Sequence, residues 1–173
     1  MEKLKDLEKL KDFITEDDLN KFKEGVIETA RENLRRDKQL LPIIHFLFIK
    51  DNKLAVALMP VNDFMINDQT KDIMVHLVKK TIDEFNVFAL IMIQEAWLSS
   101  ININEKDTYQ GRPSEDPNRK EVMFVSFETK FKCEVTSQEF IKANDEIVFG
   151  ELISSTQSTG RFSNMLKQNP GLN

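Results

Sequence analysis

The chain has 173 residues, 40% hydrophobic and 31% charged, with 24 basic and 29 acidic side chains and a formal net charge of -5. This balance is globular and excludes disordered and fibrous classes, and a chain of this length buries enough apolar surface to need no metal or disulfide. A single cysteine, Cys133, and two histidines exclude an intrachain disulfide and a four-ligand structural zinc site.

The acidic balance gives no global attraction to nucleic acid or to an anionic membrane, so nucleic acid is not the expected partner. The charged opening Met1-Glu2-Lys3-Leu4-Lys5-Asp6 lacks the apolar core of a signal peptide. The apolar runs at 40–49 and 87–94 fall short of the roughly 20 residues that span a bilayer. Together these features predict one soluble, cytoplasmic domain over residues 1–173, with no cofactor and no membrane segment.

Residues 2–14 repeat leucine at Leu4, Leu7 and Leu10, then Ile14, a narrow apolar stripe on a charged helix. Thr15-Glu16-Asp17-Asp18 reads as a helix start, because Thr15 can cap and Asp18 can reach back. The helix that follows carries Leu19, Phe22, Val26, Ile27, Ala30 and Leu34, the clearest periodic signal in the chain. Residues 1–37 are thus a helical pair, a hairpin or an elbow, whose stripes must be covered by a sheet or by a second subunit. Arg31, Arg35, Arg36 and Lys38 complement the dipole at the end of the second helix. Arg31 and Arg35 share a face, so a phosphate patch is the alternative.

Pro42 ends helical structure, and 43–49 reads as a strand apolar on both faces, hence central. Asp51-Asn52 is a turn, and 54–59 returns as its hairpin partner. Asn67 or Asp68 can cap a helix reaching about Phe85, with Ile73, Met74, Leu77, Val78, Ile82 and Phe85 as its buried face. His76 beside Lys79 and Lys80 is expected at the surface, and residues 87–97 form a third strand. Residues 99–120 hold Gly111, Pro113 and Pro117 and no sustained apolar pattern, which makes a long polar loop of the kind that is commonly functional or disordered.

Strict alternation begins at Glu121. Met123, Val125, Phe127, Thr129, Phe131, Cys133 and Val135 share one face, and Phe124, Ser126, Glu128, Lys130, Lys132 and Glu134 the other. This is one long strand, or a hairpin whose three-residue turn at 128–130 keeps the faces in register. Residues 146–154 form the last strand, and a tail over 155–173 contains a short amphipathic piece at 161–167. The fold class is α+β: an N-terminal helical pair, then a mixed or mostly antiparallel sheet of five to six strands with one crossover helix, in the order α-α-β-β-α-β-β-β.

The strongest candidate site joins the end of the third strand to the long loop. Ile91, Ile93, Glu95 and Trp97 lie on one strand face, so Glu95 ends an apolar ladder. A partly buried carboxylate needs a cation or several donors, and Arg112, Arg119 and Lys120 arrive from the loop. One reading is an ion pair that pins the loop to the sheet edge. The other is a polar cleft of Glu95, Arg112, Asp116, Arg119 and Glu121, with Trp97 as an aromatic wall for a ligand or a partner.

The segments Glu95-Ala96-Trp97 and 113–122, PSEDPNRKEV, resemble an EAW…PSEDPxRxEV pattern in uncharacterised prokaryotic and phage-encoded proteins. The resemblance implies such an origin and that the loop matters; it carries no activity, cofactor or catalytic residue.

Enzyme templates are sparse. Glu128-Thr129-Lys130 has the acid-x-lysine form of one nuclease class, with Asp107 or Asp116 as the first acid, but alternation already accounts for it. Gly-rich phosphate loops, G-x-S-x-G elbows and EF-hand loops are absent from the sequence. Cys133 and His45 sit in apolar alternations, which predicts a buried thiol and a hydrogen-bonded core histidine. The leading expectation is a non-enzymatic protein-interaction module, with homodimer formation as one form of it. The alternatives are a divalent-metal-dependent hydrolase or nuclease using Glu95, Asp116 and Glu121, and phosphate or nucleic-acid binding through Arg31, Arg35 and Arg36.

Overall fold

The computed structural model of the chain describes residues 14–99, 115–156 and 165–166. Helix α1 spans Glu16–Asp37 and begins in a capping box: Thr15 Oγ1 accepts the Asp18 N–H at 3.1 Å while Asp18 Oδ2 accepts the Thr15 N–H at 2.9 Å. Helix α2 (Asp68–Phe85) starts the same way on Asn67 and Thr70. Each box satisfies amide donors that the first helical turn leaves without partners. Both helices stop on a left-handed residue, Lys38 (φ 57) and Asn86 (φ 49).

Six strands follow: β1 (Ile43–Lys50), β2 (Lys53–Pro60), β3 (Ala89–Leu98), β4 (Lys120–Thr129), β5 (Cys133–Ala143) and β6 (Glu146–Ser155). They form one sheet in the order β2-β1-β3-β4-β5-β6, with every neighbouring pair antiparallel. The expected five to six strands are six, and the sheet has no parallel neighbours among the described residues. Asp51-Asn52 and Asn144-Asp145 turn the two tight hairpins with positive φ at both positions, as a two-residue primed turn requires. α2 carries the chain from β2 past β1 to β3.

The sheet is covered on both sides. On one face, Ile27, Ala30 and Leu34 of α1 pack with Leu47, Ile91, Ile93, Met123, Val125, Phe127 and Phe140. On the other, Met74 and Val78 of α2 pack with Ile44, Phe46, Leu90 and Met92. The buried line of α2 is narrower than its sequence periodicity suggests. Ile73 and Phe85 stay nearly half exposed at the edges of that line, Phe85 resting against the Phe48 ring. His76 is exposed, as expected.

Of the predicted helix at 2–14, only Ile14 is described, and it is buried; Leu4, Leu7 and Leu10 lie outside the described residues. The same holds for most of the loop at 99–120, and for the tail except 155–156 and 165–166.

The alternation after Glu121 is a hairpin, and its turn differs from the expected one. The Thr129 N–H donates to the Lys132 carbonyl at 2.8 Å, so the turn is the two residues 130–131 and Glu128 pairs with Cys133. Side-chain parity therefore flips between the strands. Met123, Val125 and Phe127 share the α1 face with Gln138, Thr136 and Glu134, while Cys133 and Val135 go to the opposite face. Glu128, expected on a solvated face, is fully buried, and its Oε1 accepts the Leu166 N–H at 2.5 Å. No helix among the described residues is long and apolar enough to cross a membrane.

Candidate functional site

The sequence-derived cleft resolves into two separate arrangements at one end of the sheet. Glu95 does sit half-buried at the close of the apolar ladder of β3, but its partners are not guanidinium groups. Its Oε1 accepts the backbone N–H of Leu40 at 2.6 Å, and its Oε2 lies 3.8 Å from Lys142 Nζ. Glu121 reaches the same lysine at 3.8 Å, and Lys142 stands over the Phe140 ring. Arg119 stacks its guanidinium over Trp97 at 4.5 Å instead. Asp116 organises the turn before β4, its carboxylate accepting the Asn118 N–H at 2.8 Å and its carbonyl the Arg119 N–H at 3.2 Å. Arg112 lies outside the described residues.

The structure thus brings Glu95 and Glu121 together through Lys142, and Trp97 together with Arg119. Lys142 escaped the sequence reading because it sits on β5, whose register against β4 depends on the turn at 130–131. Trp97 is 42% exposed, which suits a surface contact better than a core role. The effect of Glu95 is local and mechanical. It holds the segment after α1 by the Leu40 amide and so fixes where that segment crosses the sheet.

The basic cluster is engaged within its own helix and with the sheet. Arg31 meets Glu28 at 2.9 Å and donates to Gln138 at 2.9 Å. Arg35 also meets Glu28 and lies over the Phe149 ring. Arg36 pairs with Asp37 at 2.7 Å and donates to Asn33. Among the described residues, no group of three or more His, Cys, Asp or Glu side chains is placed to hold a metal ion. Cys133 is a buried free thiol, as expected.

A feature without a signature in any motif lies on the α1 face. A groove of about 530 Å³ runs between α1 and the β1–β2 hairpin. Phe22, Gly25, Val26 and Thr29 form its helical wall, Val56 and Leu58 its opposite wall, and Ile43, His45 and Ile93 its floor, with Leu40 and Leu41 at one end. The lining is overwhelmingly apolar, yet Leu41 is 53% and Leu58 60% exposed.

His45 departs from its predicted role. It is only part-buried, its Nδ1 has no hydrogen-bond partner among the described residues, and Phe22 meets its ring edge-on at 6.3 Å. Burial lowers its pKa below the usual histidine value, with the Ile91 backbone opposing. Two patterns in the sequence point to this groove in retrospect. Leu54, Val56 and Leu58 alternate onto one face of β2, and the apolar stripe of α1 is wider than one line of contacts. Ile27, Ala30 and Leu34 fill the core, while Phe22 and Val26 are left on its flank.

What the fold and this surface define is an antiparallel six-stranded α+β domain, helix-covered on both faces, with an open apolar groove beside its first described helix. The chain belongs to a phage protein family: the family model described as "Bacteriophage lambda protein ea47" matches residues 5–166. Comparison with curated proteins and with solved structures finds no match.

Proposed function

We propose that this protein is a non-enzymatic interaction module whose groove between α1 and the β1–β2 hairpin seats one amphipathic helix. The observation that carries the reading is the contiguous exposure of Leu41, Val56 and Leu58 around an apolar floor. Exposed apolar surface gathered in a concave strip marks a docking site, whereas isolated exposed leucines are ordinary. A helix with apolar side chains at i, i+3 and i+7 presents such a strip, and a groove walled by a helix and a strand edge is the shape that receives it. The engagement of Arg31, Arg35 and Arg36 with acidic, amide and aromatic neighbours argues against the phosphate-binding alternative. The shared lysine between Glu95 and Glu121 argues against a metal-dependent hydrolase there.

The test is an NMR titration of the full chain with a synthetic amphipathic helical peptide carrying leucines at i, i+3 and i+7. Saturable amide shifts confined to 22–33 and 54–58, lost in Leu58→Glu, are expected. Absence of saturation up to about 1 mM, equivalent to less than about 4 kcal/mol of binding, rejects the reading.

A further inference from the structure

Among the described residues the sheet ends in two edges, β2 and β6. An edge offers a row of backbone donors and acceptors to any strand that can align with it, and lysine and proline are common safeguards against such pairing. β2 carries both, beginning at Lys53 and ending at Pro60. The sequence of β6, EIVFGELISS, contains no lysine, arginine or proline, and exposed apolar side chains stand on both of its faces.

The side chains of β6 form an inverted repeat about its middle. From Gln138 to Phe140, β5 advances two residues, while β6 takes three to pass from Leu152 to Phe149. The extra residue reverses side-chain parity along β6. Phe149 and Leu152 therefore both lie on the α1 face, opposite Phe140 and Gln138. Val148 and Ile153 both lie on the other face, opposite Ile141 and Ser137. Ile147 and Ser154 return to the α1 face, where Ile147 packs against the core and the Ser154 hydroxyl meets that of Thr136 at 3.1 Å.

We infer that β6 pairs antiparallel with β6 of a second copy, about a two-fold axis between Gly150 and Glu151. Residues directly opposite in an antiparallel pair share a face. About this axis Val148 stands opposite the partner's Ile153, Phe149 opposite the partner's Leu152, and Ile147 opposite the partner's Ser154, and the faces agree at each pair. Glu151 stands opposite the partner's Gly150, a residue without a side chain. A shift of one residue sets Val148 against Leu152 or Phe149 against Ile153, side chains of opposite faces, and in the second case also sets Glu151 against Glu151. A second copy is the occupant this pattern selects, because an isologous contact requires a surface that matches itself when reversed.

The groove lies at the other edge of the sheet, beside β2, so this pairing stands independently of the groove reading and leaves the groove of each copy open. The assembly is one continuous sheet of two six-stranded halves.

The test is sedimentation velocity of the full chain from about 1 to 100 µM. Variants are placed at Val148 and Ile153, which are 56% and 62% exposed, so that a single copy stays folded. Expected is a concentration-dependent dimer of the 20.2 kDa chain. Val148→Lys/Ile153→Lys sets lysine against lysine and should raise Kd at least about tenfold, or about 1.4 kcal/mol. Val148→Lys/Ile153→Glu sets lysine against glutamate and should restore the dimer. Circular dichroism and urea midpoints report whether each variant keeps its fold. A measurement without added charge mixes two single-cysteine chains in the Cys133→Ala background, Val148→Cys and Ile153→Cys. A short bis-maleimide should join the two kinds of chain and neither kind to itself, since like positions lie about five residue spacings, roughly 17 Å, apart. A monomer at about 100 µM, a dimer indifferent to the lysine pair, equal loss in both charged variants, or cross-linking of one kind of chain to itself as readily as to the other overturns the inference.

Discussion

The position of α1, and with it the groove wall, depends on a charged contact whose strength can be measured. Lys23 Nζ lies 2.6 Å from Glu134 Oε1, and Lys132 Nζ lies 2.8 Å from Oε2 of the same carboxylate. The Lys23 and Glu134 side chains are only 14% and 11% exposed. Exposed pairs contribute about 0–1 kcal/mol, and breaking a fully buried pair costs about 3–5 kcal/mol. Glu134→Gln keeps the shape, removes the charge and leaves Lys23 largely desolvated, so the intermediate range of about 1.5–3 kcal/mol for a charged hydrogen bond applies.

A loss of about 2 kcal/mol lowers Tm by about 4–8 °C in a chain of this size. Urea unfolding of the double-mutant cycle with Lys23→Met should give a coupling of about 1–2 kcal/mol. The pH dependence supplies a second check. Burial pushes the Glu134 carboxyl up, but hydrogen bonds from Lys132 and Lys23 outweigh it and hold the pKa below the ordinary glutamate value. A group whose folded pKa is depressed contributes fully above its unfolded pKa, and the contribution fades as pH falls through the folded value. The gap between wild type and Glu134→Gln should therefore be constant from neutral pH down to about 5 and shrink below about 4.5. A coupling under about 0.5 kcal/mol, or a gap that does not change with acid, refutes the reasoning.

Leu34 is 0% exposed beneath α1, and Leu34→Ala should cost about 2–5 kcal/mol in urea unfolding; a loss under about 1 kcal/mol would mean that α1 is not seated on the sheet. Glu95→Ala leaves the Leu40 amide without its acceptor and should cost about 1–3 kcal/mol, while Glu95→Gln, which keeps an acceptor oxygen, should cost less than half as much; equal losses would contradict the assigned role. Cys133 is 8% exposed, so the native protein should resist Ellman's reagent and react stoichiometrically only in denaturant; rapid native labelling would contradict the β4–β5 register.

Much of the candidate site was illegible in the sequence because its contacts are distant along the chain. The amide that Glu95 accepts is 55 positions away, and Gln138 meets Arg31 across 107. Trp97 and Glu121 are neighbours, since β3 and β4 pair them, yet Arg119 goes to the indole ring and not to the Glu95 carboxylate. The groove gave no motif, because it is a gap between elements whose residues look like ordinary half-buried positions.

The sequence by itself determined the elements whose cause is local: the capping boxes at Thr15 and Asn67, the Asp51-Asn52 turn, and the apolar runs that became β1 and β3. Each rests on hydrogen bonds or alternation within a few residues. Tertiary structure alone decided which line of the α1 stripe enters the core, which face Glu128 and Cys133 take, and which cation meets Glu95. Those outcomes follow from strand register, and shifting a pairing by one residue moves every side chain to the opposite face.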